Sequence, residues 1–87
     1  MIATAGRHVR MWEARCAPGR TAEAVTWAQQ RAAADALSSG ATGAEVFFSE
    51  DRVVLITRWA AATAWTEPTP DHAVVERSHA WPFEAVT

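Results

Sequence analysis

The chain has 87 residues, a net charge of −2 and one cysteine, Cys16. That length makes one domain with a thin core, because small domains bury a modest share of their surface. The weak charge excludes the footprint of a nucleic-acid binder, and a single cysteine excludes a disulfide framework or a cysteine-built metal site.

All eight basic side chains are arginine, and they are scattered rather than striped. The opening MIATAGRHVR lacks the apolar centre of a signal peptide, and no run approaches transmembrane length. A cytoplasmic protein without membrane contact is therefore expected. Alanine is heavily used, while leucine and isoleucine are scarce, so bulk must come from valine, phenylalanine and the five tryptophans. A core built this way gains from burying more surface in an oligomer, which points to a homodimer.

The stretch RHVRMWEARCAPG alternates and stops at Pro18-Gly19, which predicts a strand from about His8 to Ala17. One face carries His8, Arg10, Trp12, Ala14 and Cys16; the other carries Val9, Met11, Glu13 and Arg15. TAEAVTWAQQRAAADALSSG predicts a helix, with Thr21 as its cap, Glu23 in the first turn and Gly40 at its stop. Val25, Ala28, Ala32 and Ala36 share one small-residue face that can lie close to a sheet. Trp27 falls near the opposite side, as an exposed interface anchor or stacked on Arg31.

GAEVFFSEDRVVLITRW predicts a β-hairpin with strands Ala44–Ser49 and Arg52–Trp59 around a turn at Glu50-Asp51. VVLIT is apolar on both faces and reads as a central strand. A short helical piece, Ala60–Thr66, is interrupted by EPTP, since two prolines so close forbid a continuous helix. Pro70 then opens a second helical stretch to about Ser78. AWPFEAV closes the chain as a strand, placed at a sheet edge by Pro82. The order β-α-β-β-α-β predicts an α+β, ferredoxin-like domain with a four-stranded antiparallel sheet and helices on one face. The bare face needs a cover, and a second copy is the simplest one.

With APG closing the first strand, GATGAEVFF leading into the second, DRVVLITRW as the third and an alanine-rich segment after Trp59, the chain from His8 to Trp65 resembles the antibiotic-biosynthesis-monooxygenase-like family. That resemblance implies a dimeric α+β barrel, with a pocket in each subunit between the sheet and its own helices. It implies activities such as cofactor-independent oxygenation of aromatic polyketides or haem degradation. TEPTPDH departs from the longer helix found in such proteins. The chain also has no asparagine and no tyrosine, and Trp12 stands at the first-strand position where the haem-degrading members carry asparagine. Haem degradation of that type is therefore disfavoured, and any chemistry must use Trp, His, Arg and Glu.

The expected catalytic pair is His72, as a base near neutral pH, and Arg58 or Arg10, to stabilise the resulting anion. The expected substrate-binding residues are Trp12, Trp65, Arg10, His79 and Trp59. Trp12 and Trp65 are read as facing walls for a flat aromatic guest, and Trp59 as a packing residue at the strand–helix corner. Loop placement at the surface is the competing fate of His72 and His79. The expected reaction deprotonates an electron-rich phenol or anthrone and passes an electron directly to oxygen, with no metal and no cofactor. A non-catalytic ligand- or partner-binding protein on the same fold is the alternative, favoured by the missing Asn and Tyr. A cyclase or isomerase using the same pocket is a third reading.

Overall fold

The computed structural model describes residues 6–86. It is an α+β domain in which one helix packs on a four-stranded antiparallel sheet. The strands are β1 (His8–Cys16), β2 (Gly43–Ser49), β3 (Arg52–Trp59) and β4 (Val75–Glu84), arranged β2-β3-β1-β4. That order is compatible with the ferredoxin-like arrangement. The hairpin falls where its turn residues put it, VVLIT occupies an interior strand, and the strand holding Pro82 lies at an edge.

Strand alternation separates two faces. Trp12 stands beside Leu55 on β3 and Ala80 on β4, so the even positions of β1 share a face with Val53, Leu55, Thr57 and Trp59. This face is the buried one: Trp12, Ala14, Cys16, Val53, Leu55 and Thr57 are each at most 3% exposed. The other face is open and carries Val9, Met11, Val54, Ile56, Phe47, Trp81 and Phe83. A register shift between Arg15 and Cys16 interrupts the β1–β4 ladder near the start of β4.

Helix α1 is assembled from Thr21–Trp27, a wider i→i+5 turn over Ala28–Ala33, and Ala34–Ser38. Ala24, Ala28, Ala32 and Ala36 are fully buried against the sheet. At about 100° per residue, steps of four drift about 40° each in an ordinary α-helix. The wider middle turn winds less per residue and removes part of that drift, so the alanines stay on the sheet.

Trp27, three residues after fully buried Ala24, lies beside the buried face. Rather than an exposed anchor, it is half-buried and packed at a tilt against Trp12, with ring centroids 5.5 Å apart. Thr21 does not cap the helix. Its hydroxyl donates to the Glu50 carbonyl oxygen at 2.8 Å, tying the helix start to the hairpin turn. The far end stops as expected at Gly40, whose φ of 110° suits glycine. The Ala41 amide donates to the Ala36 carbonyl and the Gly40 amide to the Leu37 carbonyl, which is the Schellman closure.

The second helix is absent. Residues 60–71 run as an irregular strap, a turn follows at 72–74, and β4 begins at Val75, inside the predicted helical stretch to Ser78. Glu67-Pro68-Thr69-Pro70 is the reason: prolines two apart remove amide donors and hold their predecessors extended.

Glu50 sits at φ 50°, the left-handed region that disfavours a side chain. Relief of that strain, less the extra freedom glycine brings to the unfolded chain, should make Glu50→Gly more stable by about 0.5–1 kcal/mol. Thermal unfolding of the two proteins checks this; an unchanged or lower midpoint for the variant would count against strain at the turn.

Candidate functional site

Strand alternation carries His8, Arg10 and Trp12 to the helix-side face of β1, but α1 covers only part of that face. The 60–71 strap crosses the β1 part of the remainder through Glu67 on Arg10, while on β4 Ser78, Pro82 and Glu84 stay exposed and Ala80 is half-buried. Trp59, at the end of β3, is buried, and its indole N–H donates to the Thr57 hydroxyl at 2.9 Å. Trp65 lies on Trp59 with centroids 5.5 Å apart and donates its indole N–H to Asp35 Oδ2 at 2.8 Å. The strap is thus fastened to β3 by a tilted indole pair and to α1 by a charge-assisted hydrogen bond.

Its third fastening is ionic. Arg10 Nε and Nη2 donate to the two carboxylate oxygens of Glu67 at 2.8 and 2.9 Å. The fork is bidentate, and the Glu67 side chain is only 5% exposed against 20% for Arg10. A charge in this layer needs such a partner.

Two clefts adjoin this pair. One, of about 450 Å³, is lined by His8, Arg10, Trp59, Phe83 and Glu84. His8 and Glu84 are cross-strand neighbours there. The other, of about 290 Å³, is lined by Arg10, Trp12, Glu67 and the strap prolines. Arg10 is the one residue common to both linings. A larger groove of about 560 Å³ runs between α1 and residues 70–75, past Trp27 and Val74. Its charged groups are Glu23, Arg31 and Asp71, with neither histidine nor cysteine, so it lacks a base suited to neutral pH.

The expected site residues are divided by this geometry. Arg10, Trp12, Trp59 and Trp65 share the helix-side layer. Trp12 and Trp65 do not face each other across a guest; each packs at a tilt against another indole, Trp27 and Trp59 respectively. Trp59 both packs and walls the cleft.

Arg58 lies on the open face, where its guanidinium approaches Glu45 at 3.4 Å. His79 is exposed at the β4 edge, stacked on Trp81 at 5.7 Å, and it also borders the smaller cleft with Arg10 and Trp12. His72 is exposed in the turn before β4. Arg58 pairs with Val9 and the start of β4 with Cys16, so His72 and Arg58 are separated by about 23 Å of strand as well as by the sheet. They do not form one site.

His8 and Glu84 are the residues that sequence reasoning passed over. His8 alternates with Arg10 and Trp12, which was the available signal. Glu84 joins only because β4 pairs along the whole of β1, and nothing local announces that.

Among the described residues, no group of three or more His, Cys, Asp or Glu side chains is placed to hold a metal ion. Among them too, no helix is long and apolar enough to cross a membrane. No family model, curated protein or solved structure matches the chain.

Cys16 is a poor nucleophile. It is 2% exposed, and burial pushes its thiol above the usual value, with the nearby Asp51 carboxylate adding to the rise and a Thr21 hydrogen bond opposing it. The folded state thus favours the neutral thiol. Its contribution to stability is complete below the ordinary thiol value and is lost as pH rises from about 8.5 towards the raised one. Denaturant titrations across that range should show wild-type stability falling more steeply than that of Cys16→Ala. Equal slopes would mean that the thiol titrates normally.

Proposed function

We propose that this domain is a homodimeric, cofactor-independent oxygenase of a flat aromatic metabolite, as its resemblance to the antibiotic-biosynthesis-monooxygenase-like family implies. The observation that carries the reading is the convergence of His8, Arg10 and Trp59 on one cleft of about 450 Å³. A base, a cation and an indole wall are the three parts that the chemistry needs.

His8, not the distant His72, is the base. It removes a proton from the acidic CH₂ of an anthrone-like substrate held against Trp59. Two of the five N–H groups of Arg10 are engaged by Glu67. The others are available to stabilise the enolate oxygen. The carbanion gives an electron to dioxygen, and recombination forms a carbon–oxygen bond as a peroxide. Loss of water leaves the quinone carbonyl, so one dioxygen yields one ketone oxygen and one water.

The dimer reading rests on the open face. Phe47, Trp81 and Phe83 are 48%, 43% and 50% exposed there, beside half-buried Val9, Met11, Val54 and Ile56. A contiguous apolar sheet face of this kind marks an interface. A second copy would also supply burial that so small a core lacks.

A non-catalytic binding protein is the second reading. It is favoured by the complete pairing of the interior: among the described residues, no buried side-chain nitrogen or oxygen lacks a hydrogen-bond partner. A cyclase or isomerase would use the same cleft but leave product mass unchanged.

Oxygen uptake with an anthrone should proceed in chelator. His8→Ala should slow it by about a hundredfold or more, the usual worth of a general base, whereas His72→Ala should leave it unaffected. A requirement for added iron or flavin would refute the oxygenase reading, and ligand recovered unchanged would favour binding alone. In sedimentation velocity at micromolar concentration the wild type should run as a dimer and Ile56→Asp as a monomer. A monomeric wild type would remove the dimer from the proposal.

A further inference from the structure

We infer that Glu67 is a built-in stand-in for the carboxylate of the ligand, so that an aromatic acid opens its own site by replacing Glu67 on Arg10. The inference rests on the cleft reading above and adds the substrate class.

Three observations lead to it. First, the pair has the geometry of ligand recognition: a bidentate fork, with contacts of 2.8 and 2.9 Å, in a water-poor layer. A free aromatic carboxylate presents the same two oxygens in the same plane. Second, the pair lies where two clefts meet. Arg10 lines both the 450 Å³ space against Trp59 and the 290 Å³ space against Trp12. Removing the Glu67 carboxylate from between them leaves a longer slot with an indole near either end and a cation at its middle, which suits a planar acid of two or three fused rings.

Third, the segment that carries Glu67 is made to detach. Among the described residues, no backbone–backbone hydrogen bond joins residues 60–70 to the sheet or to α1. The strap is held by side chains alone: Trp65 packed at a tilt on Trp59, the Trp65 indole N–H on Asp35, and the ion pair itself. Lifting its Glu67 half breaks no ladder, so the opening belongs to the low-energy end of local motions. Charge pairing alone accounts for a partner to Arg10, but not for a partner on a detachable strap between two clefts.

The exchange is nearly even in its polar part. One carboxylate leaves the fork for water and another leaves water for the fork. The surplus that drives it is burial of the ligand's ring against Trp59 and Trp12. A neutral ring of the same shape gains the burial without displacing Glu67 and is confined to the open cleft. The ligand shifts the strap only by its preference for the opened state.

Calorimetric titration with 2-naphthoate and with neutral 2-naphthylmethanol tests this on the wild type, Glu67→Gln and Arg10→Gln. Wild type should prefer the acid. Glu67→Gln removes the competing charge and should bind naphthoate about tenfold tighter, with little change for the alcohol. Arg10→Gln should lose the preference. Naphthoate binding that is unchanged or weaker in Glu67→Gln overturns the stand-in role, as does equal affinity for both probes in the wild type.

Binding of the alcohol with failure of these charge effects would leave the cleft reading standing. Binding of neither probe would bring down both. Should Glu67→Gln not fold, arginine Nε–H resonances of the wild type carry the test. The Arg10 signal should move on adding naphthoate but not on adding the alcohol, while protection of the Trp65 indole N–H persists with both; an Arg10 signal unmoved by naphthoate overturns the inference.

Discussion

One helix must cover a face of a four-stranded sheet that is wide enough for two. The alanine face of α1 lets it sit close over β2 and β3, beside buried Val53 and Leu55. Nothing helical covers the rest. The strap fills that gap with large side chains, which explains where the tryptophans go. Trp12 and Trp27 seal one side of the helix–strap junction, and Trp59 and Trp65 seal the other. In a chain so poor in leucine and isoleucine, paired indoles provide the volume that aliphatic side chains supply elsewhere. Incomplete cover also leaves the clefts on both sides of Arg10. The shortage of helix therefore sets both the packing and the site.

Much of this was legible locally. Alternation gave β1 and its two faces, the Gly40 stop gave the helix end, and Glu50-Asp51 between apolar runs gave the hairpin. The errors came from positions where a distant partner outweighed a local preference. Thr21 has the side chain of a cap, yet the Glu50 carbonyl claims its hydroxyl. Trp27 falls opposite the face centred on Val25 and Ala36, but it neighbours Ala24, which is fully buried, and so packs against Trp12. Ala60–Thr66 has the composition of a helix but is seven residues followed by EPTP, too short to nucleate without a packed partner. Val75–Ser78 looked helical in continuation of Pro70 and instead completes the β1 ladder.

The site was legible in its residue types but not in its membership. Arg10, Trp12 and Trp59 could be placed by strand alternation. His8 belongs to the same face and was outweighed by His72 and His79, whose positions in an atypical segment looked more telling. The exposure of His72 in a turn, and the place of His79 at the β4 edge on the rim of the smaller cleft, follow from the early start of β4. Glu67 could not be assigned a partner at all, because contacts across 57 residues of chain have no local signature. It is nonetheless the group that decides what Arg10 has left to offer a ligand.

The two faces of the sheet are not independent. Val9 and Phe83 belong to the open face, yet both also line the larger cleft, where the end of β4 wraps its rim. A second copy packed on the open face would fix Phe83 and narrow that rim from outside, just as the strap limits it from inside. Phe83 is half exposed in a single chain, so its position there is weakly determined. In the proposed dimer it would become part of a packed interface and a firm wall for the cleft. Association and ligand binding would then favour the same arrangement of β4, and by linkage each would strengthen the other. The apolar face and the clefts are thus two consequences of the same thin sandwich, coupled through the strand that forms the edge of both.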